Sequence, residues 1–296
     1  MDSGIRSHNP LSVIRPIAEA ARVLVGRKLA GRGLTVYDDD VFIVSYPRSG
    51  NTWLRFLIGN LVYRHSPVTF ANLESRIPEI YLFPDHVLRR LPRPRILKSH
   101  ECFDPHYKRV VYIVRDPRDV AVSYYHYAIK RNRIPENYPI EQFVPRFLNA
   151  EFDREWQWAA SWGDHVTSWL SLRQGREGFL LLRYEDVLND TAQALSRMAT
   201  FLQLEPAEDR LARAVQFSSR DRMRELEKSE GRNWKLTKAT RQDKPFIRTA
   251  CSGVWRRELP SSSVAQVECA FASVMKILGY ELSSAVASQQ AEVITT

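Results

Sequence analysis

Val41-Phe-Ile-Val-Ser-Tyr-Pro-Arg-Ser-Gly-Asn-Thr-Trp53 decides how the rest of the chain is read. The apolar, β-branched run from Val41 to Val44 has the pattern of a buried parallel strand, and Pro47 and Gly50 break it. Trp53, Phe56, Leu57, Asn60 and Leu61 follow at helical spacing. Strand, tight turn and helix make an anion cradle, because the first backbone N–H groups of a helix lack internal partners and sit at the positive end of its dipole. Ser49 to Trp53 are therefore expected to bind a phosphate or sulfate. Arg48 adds a fixed positive charge, and Ser49, Asn51 and Thr52 add neutral donors. The plainer alternative is an ordinary strand-to-helix turn. A nucleotide triphosphatase would carry Gly-x-x-x-x-Gly-Lys-Ser/Thr here, whereas this loop has only Gly50 and no Gly-Lys pair.

Composition narrows the class. The 296 residues are 44% hydrophobic and 26% charged, ordinary for a globular chain at the upper edge of what one core supports. No apolar run approaches the roughly 20 residues of a membrane span, and the N-terminus lacks the order of a signal peptide, so a soluble, cytoplasmic protein is expected. Cys102, Cys251 and Cys269 are too few and too scattered for a disulfide framework or a zinc site. Formal net charge is +9, which favours anionic partners. Zinc-finger spacing, an RNP-like aromatic pattern and a helix-turn-helix signature are all missing, so nucleic acid is not the expected partner.

Tyr46 to Trp53 resembles the 5′-phosphosulfate-binding loop of the soluble sulfotransferases, usually Tyr-Pro-Lys-Ser-Gly-Thr-Thr-Trp. These enzymes move a sulfuryl group from 3′-phosphoadenosine-5′-phosphosulfate (PAPS) to an acceptor hydroxyl or amine, leaving adenosine 3′,5′-bisphosphate (PAP). Similarity recurs at intervals from about Val41 to Tyr280. It implies a single α/β domain of the P-loop-NTPase-like kind, with a central parallel β-sheet flanked by helices and ligand-binding loops at the strands' carboxyl ends.

Further matches can be judged separately. Arg95-Ile-Leu-Lys-Ser-His100 reads as a short strand whose alternation puts Lys98 and His100 on one face. It is similar to the family's Lys-Thr-His element, which implies His100 as general base and Lys98 as the donor to the sulfuryl and leaving-group oxygens. An imidazole suits the base role because its ordinary pKa lies near neutrality. His65, His86, His106, His126 and His165 lack such a setting and are read as structural or surface residues. Lys108 to Arg115 is a third strand. After it Asp116 fits an N-cap, Pro117 the first helical position and Asp119 the N3 acid. Arg115 and Ser123 resemble the family's 3′-phosphate site. Gly178 to Tyr184 reads as a fourth buried strand, with Tyr184 similar to the adenine-contacting tyrosine. Ser218 aligns loosely with another nucleotide-contacting hydroxyl.

Phe246-Ile-Arg-Thr-Ala-Cys-Ser-Gly-Val-Trp255 resembles the family's Phe-x-Arg-Lys-Gly-x-x-Gly-x-Trp, which closes over the 3′-phosphate. Phe246, Ile247, Arg248, Thr249 and Ala250 are thus candidate nucleotide contacts. Thr249 and Ala250 replace Lys and Gly, removing one charge and one unrestricted backbone. The lost contact implies nucleotide binding weaker by roughly 1.5–3 kcal/mol unless Arg241, Lys244 or Arg256 substitutes.

Three regions are expected: residues 1–36, a basic extension with an amphipathic helix on Leu11, Ile14, Ile17, Ala18, Ala21, Leu24 and Val25; residues 37–282, the sulfotransferase domain; and residues 283–296, a disordered tail. Peripheral membrane contact through the first region is possible but not favoured. Residues 63–92 and 130–150 read as irregular connections. Residues 220–248, with ten Lys/Arg against five Asp/Glu, read as a solvated loop or a lid. The family's dimer motif Lys-x-x-x-Thr-Val-x-x-x-Glu is not recognisable, which leaves the oligomeric state open. The expected acceptor is a small molecule or glycan, and the sequence requires no metal. The rivals are a nucleotide kinase of related fold and a PAP- or PAPS-binding protein that has lost its chemistry.

Overall fold

The computed structural model describes residues 29–152 and 160–283. Its centre is β1 (Val41–Val44), buried along its whole length. β2 (Ile96–Ser99) and β3 (Arg109–Val114) pair with it in parallel on either side, Val44 meeting Ser99 and Tyr112, and β4 (Phe179–Arg183) extends the sheet beyond β3. Among the described residues the order is β2-β1-β3-β4. The connection from β1 runs to one side and that from β2 crosses back to the other, so a crevice opens at the carboxyl ends of β1 and β3.

Strand alternation sends side chains to two cores. Phe42, Val44, Val110, Tyr112 and Val114 face one, packed with α4 (Pro117–Lys130), α5 (Ile140–Leu148), α6 (Trp162–Arg173) and α11 (Ser261–Ile277). Val41, Ile43, Val111 and Ile113 face the other, with α1 (Asn51–Val62), α8 (Thr191–Phe201) and α9 (Glu208–Phe217). At the opposite edge from the crevice, Arg95 donates to Asp40 at 2.8 Å with both side chains fully buried, joining the approaches to β1 and β2.

The structure departs from the sequence reading where tertiary packing overrides local signals. Residues 63–92 contain two single-turn helices, α2 (Leu73–Arg76) and α3 (Asp85–Leu88). The 130–150 connection holds α5 despite Pro145 in its interior. Pro139 is its N-cap, and Phe143 and Phe147 pack against Tyr124, offsetting the roughly 3 kcal/mol an interior proline costs. β4 is only half-buried, because it lies at the sheet edge and Leu182 alone is fully covered. α7 (Tyr184–Asn189) follows it directly. Residues 220–248 are not simply a solvated loop. They form α10 (Arg220–Glu230), capped by Ser219, and then bury Trp234 against Phe70 at 4.7 Å. The expected N-terminal helix and the tail beyond Ser283 lie outside the described residues.

Candidate active site

The loop between β1 and α1 is built around Gly50. It caps α1 with φ of 98°, a conformation glycine adopts freely, and a Cβ there would meet Cδ2 of Tyr184 at 2.6 Å. The first helical bond runs from Leu54 N–H to Gly50 O, so the amides of Asn51, Thr52 and Trp53 are the orphan donors of the helix start. Two expected side-chain donors point elsewhere. Ser49 is fully buried, and the Asn51 amide donates to Ile43 O at 3.3 Å and Ser45 Oγ at 3.1 Å. The Asn51 bonds tie the end of the strand to the start of the helix, while Ser49 Oγ is buried without a hydrogen-bond partner among the described residues. Thr52 and the backbone amides remain to face the cavity, beside Trp53, whose indole donates to Ser218 O at 3.1 Å.

His100 follows β2. Its Nδ1 lies 2.7 Å from Ser45 O; since a carbonyl only accepts, Nδ1 carries the hydrogen and Nε2 the lone pair. Its backbone N–H donates to the Tyr81 hydroxyl at 3.1 Å, and its carbonyl accepts from His165 Nε2 at 3.1 Å. His165 Nδ1 in turn accepts from Tyr112 Oη. Burial, and then the charge of Lys98, holds His100 well below the usual imidazole range, while burial pushes His165 down to about 4. Both rings are therefore neutral at pH 7. Lys98 Nζ is 2.7 Å from Glu79 Oε2, with both side chains almost fully buried.

The other end of the cavity is set by β3 and α4. Arg115 donates through Nη2 to Cys251 O at 2.9 Å and lies 4.4 Å above the Tyr184 ring. Asp116 caps α4 with Pro117 in its first turn. Asp119 does not complete a local capping box: its carboxylate accepts the N–H groups of Gly253 (2.7 Å) and Trp255 (3.0 Å), pinning residues 253–255 to the helix start. Ser123 Oγ accepts from Arg48 Nε at 3.2 Å. The Arg48 guanidinium lies 4.5 Å from the Tyr127 ring centre and 4.6 Å from that of Phe246. Burial, with Arg115 and Arg248 adding to it and Tyr127 opposing, pushes Arg48 down to about 10, so it stays cationic at neutral pH. The 246–250 segment hangs on α10. Glu227 accepts the amides of Phe246 and Ile247, and Arg224 reaches the carbonyls of Ile247 and Arg248. Arg248 pairs with Glu258 at 2.8 Å, and Ala250 takes φ of 48°.

Arg48, Gly50, Thr52, Lys98, His100, Arg115, Ser123, Tyr184 and residues 246–250 open on one cavity of about 430 Å³, a size suited to a nucleotide-scale ligand. A sequence model of the sulfotransferase domain matches residues 38–279. The chain belongs to the sulfotransferase family. It is 31% identical over 262 residues to mouse Sulfotransferase 2B1, covering 84% of this chain and 73% of the relative. It is 30% identical over 247 residues to the 3-beta-hydroxysteroid sulfotransferase of Cavia porcellus, covering 79% and 81%. In fold it is similar to mouse sulfotransferase SULT7A1 complexed with PAP, with a TM-score of 0.68, 21% identity and coverage of 94% and 96%. A retinol dehydratase complexed with androsterone and PAP follows at 0.66, 20% identity, 86% and 85%. Sulfuryl transfer is thus the chemistry of this α/β enzyme.

In this sulfotransferase the candidate residues line the cavity, with the exception of Ser49. Ser218 does so only in part, since its hydroxyl accepts from Asn60 Nδ2 at 3.0 Å. Of the three basic residues expected to substitute for the missing lysine, Arg241 and Lys244 are held by Glu136, and Arg256 stacks on Trp255 at 4.5 Å; none lines the cavity. Arg131, Arg133 and Arg220 line it instead. They had no motif to mark them, and neither did Glu79 or the buried brace His165.

Proposed function

We propose that this sulfotransferase takes PAPS as donor and transfers its sulfuryl group to a hydroxyl, or an amine, of a small-molecule or glycan acceptor in the cytoplasm. Residues 37–282 act as the catalytic domain, flanked by the basic extension and the tail. The observation that carries the reading is the neutral His100, whose Nε2 lone pair shares a cavity with Lys98, the α1 amides and a cluster of arginines. When bound, the nucleotide supplies the activated sulfuryl group. The α1 amides and Thr52 hold its 5′ end, Arg115, Ser123 and Arg248 its 3′ end, and Tyr184 and Trp53 flank the base. Arg48, hydrogen-bonded to Ser123, lends charge between the two ends. His100 accepts the acceptor's proton, and Lys98 stabilises charge on the departing oxygen. Fixed electrostatics and positioning supply most of the rate.

Mass spectrometry of an acceptor panel incubated with PAPS tests this. Hydroxysteroids and retinoids head the panel, because relatives act on or bind them by name. A sulfated product is expected. Magnesium-dependent ATP turnover would favour the kinase reading, and PAP binding without product the loss of chemistry.

The departure at Thr249 and Ala250 yields a second prediction. Ala250 occupies the left-handed region where a Cβ costs about 1 kcal/mol. The double variant Thr249→Lys, Ala250→Gly is expected to bind PAP about tenfold tighter or more, measured by calorimetry, through one new charge-assisted contact. An unchanged Kd would mean that the existing arginines already saturate that phosphate.

A further inference from the structure

Pro78, Glu79 and Ile80 belong to no named strand, yet they run parallel to β2. Lys98 N–H donates to Pro78 O at 2.9 Å, and Ile80 N–H donates to Lys98 O at 3.2 Å. This pairing sets the Glu79 and Lys98 side chains next to each other, and their ion pair closes at 2.7 Å. Glu79 is itself fixed from behind: its N–H donates to Glu74 Oε2 at 3.0 Å, and Glu74 is held by Arg55 at 2.9 Å and by the Trp234 indole at 3.1 Å. Both Glu79 and Lys98 line the cavity beside His100. We propose that Glu79 is a positioning residue of this sulfotransferase, which keeps the ammonium of Lys98 charged and fixed at the reaction end until the donor's anionic oxygens compete for it.

The physical need is plain. A buried ammonium with no counter-ion gives up its proton. The charges facing Lys98 are Glu79 and Glu74, which favour the ammonium, and Arg55, which opposes it; His100 faces it as a neutral ring. Burial lowers the Lys98 pKa most, and Glu79 is the strongest group pulling it back. A cationic Lys98 also keeps His100 deprotonated, so one carboxylate maintains the working protonation state of both. Because Glu79 competes with the donor for the same ammonium, its removal should act in opposite directions on binding and on turnover at high pH. The inference rests on the proposed role of Lys98 as a cation.

The test is Glu79→Gln, which keeps shape and removes charge. PAP affinity by calorimetry at pH 6, on the acid side where protonation of Lys98 is most favoured, is expected to tighten about two- to tenfold. The alkaline limb of kcat/KM, where Lys98 deprotonates, is expected to move down by about one pH unit or more. Glu79→Asp keeps the charge and should leave the limb in place. In a Lys98→Arg background, whose guanidinium does not titrate, Glu79→Gln should move no limb. A merely structural Glu79 would lower Tm and turnover with superimposable pH profiles and unchanged or weaker PAP binding, and that result overturns the proposal. Failure of the parent chain to transfer sulfuryl groups would overturn the functional reading instead, while the PAP measurement would still decide the role of Glu79.

Discussion

His100→Ala is expected to lower kcat by roughly 10²–10⁴-fold, the usual contribution of a positioned general base, with PAP affinity within about threefold of the parent. The fold should tolerate the change. The backbone of residue 100 stays fixed by the Tyr81 hydroxyl on its N–H and His165 on its carbonyl, and the lost bond to Ser45 O is worth about 1 kcal/mol. The pH dependence has a definite sign. A base works when neutral, and the folded-state pKa of His100 is depressed, so activity is lost only as pH falls through that depressed value. The acid limb of kcat/KM in the parent enzyme should therefore lie below the ordinary imidazole value of about 6.5 and vanish in the variant. Equal turnover of variant and parent would remove His100 from the chemistry.

Much of this site was legible because it is local. Strand, turn and helix in Val41 to Trp53 are written in consecutive residues, as are the Asp116 cap and Pro117, and these segments hold the cradle and the approach to α4. What stayed hidden depends on partners far apart in the chain. Asp119 looks like a local N3 acid, yet it holds amides more than 130 residues away. Glu79 reads as one acid in a proline-interrupted connection until the backbone pairing with Lys98 is seen. Ser49 and Asn51 looked like donors to an anion, but the Asn51 amide is committed to Ile43 O and Ser45 Oγ, and Ser49 is buried away from the cavity. Arg48, assigned to the 5′ end as a loop residue, reaches Ser123 on α4 and lies against the rings of Tyr127 and Phe246. In the charged stretch 220–248, the pattern of charges hid a capped helix and the tryptophan that buries the segment.

Arg115→Ala should weaken PAP binding by about 10- to 150-fold, corresponding to roughly 1.5–3 kcal/mol for a hydrogen bond to a charged group, with kcat at saturating donor close to the parent's. Arg115 lies at the carboxyl end of β3, spans the Tyr184 ring and reaches Cys251 O, so it joins the β3 end to the segment bearing Arg248 and Thr249. None of its contacts is to His100 or Lys98, so removing it should cost binding more than chemistry. It is also the nearest opposing charge to Asp119, whose carboxyl is raised above the usual range by burial and pulled back first by Arg115. Without Arg115 the Asp119 pKa rises further, and the grip on Gly253 and Trp255 weakens at mildly acidic pH, compounding the loss of affinity there. Arg115→Lys keeps the charge but not the fork that meets the carbonyl and a phosphate together, and should fall between. Calorimetry with PAP at two pH values decides it: an unaltered Kd with a reduced kcat would move Arg115 from the nucleotide end to the reaction end.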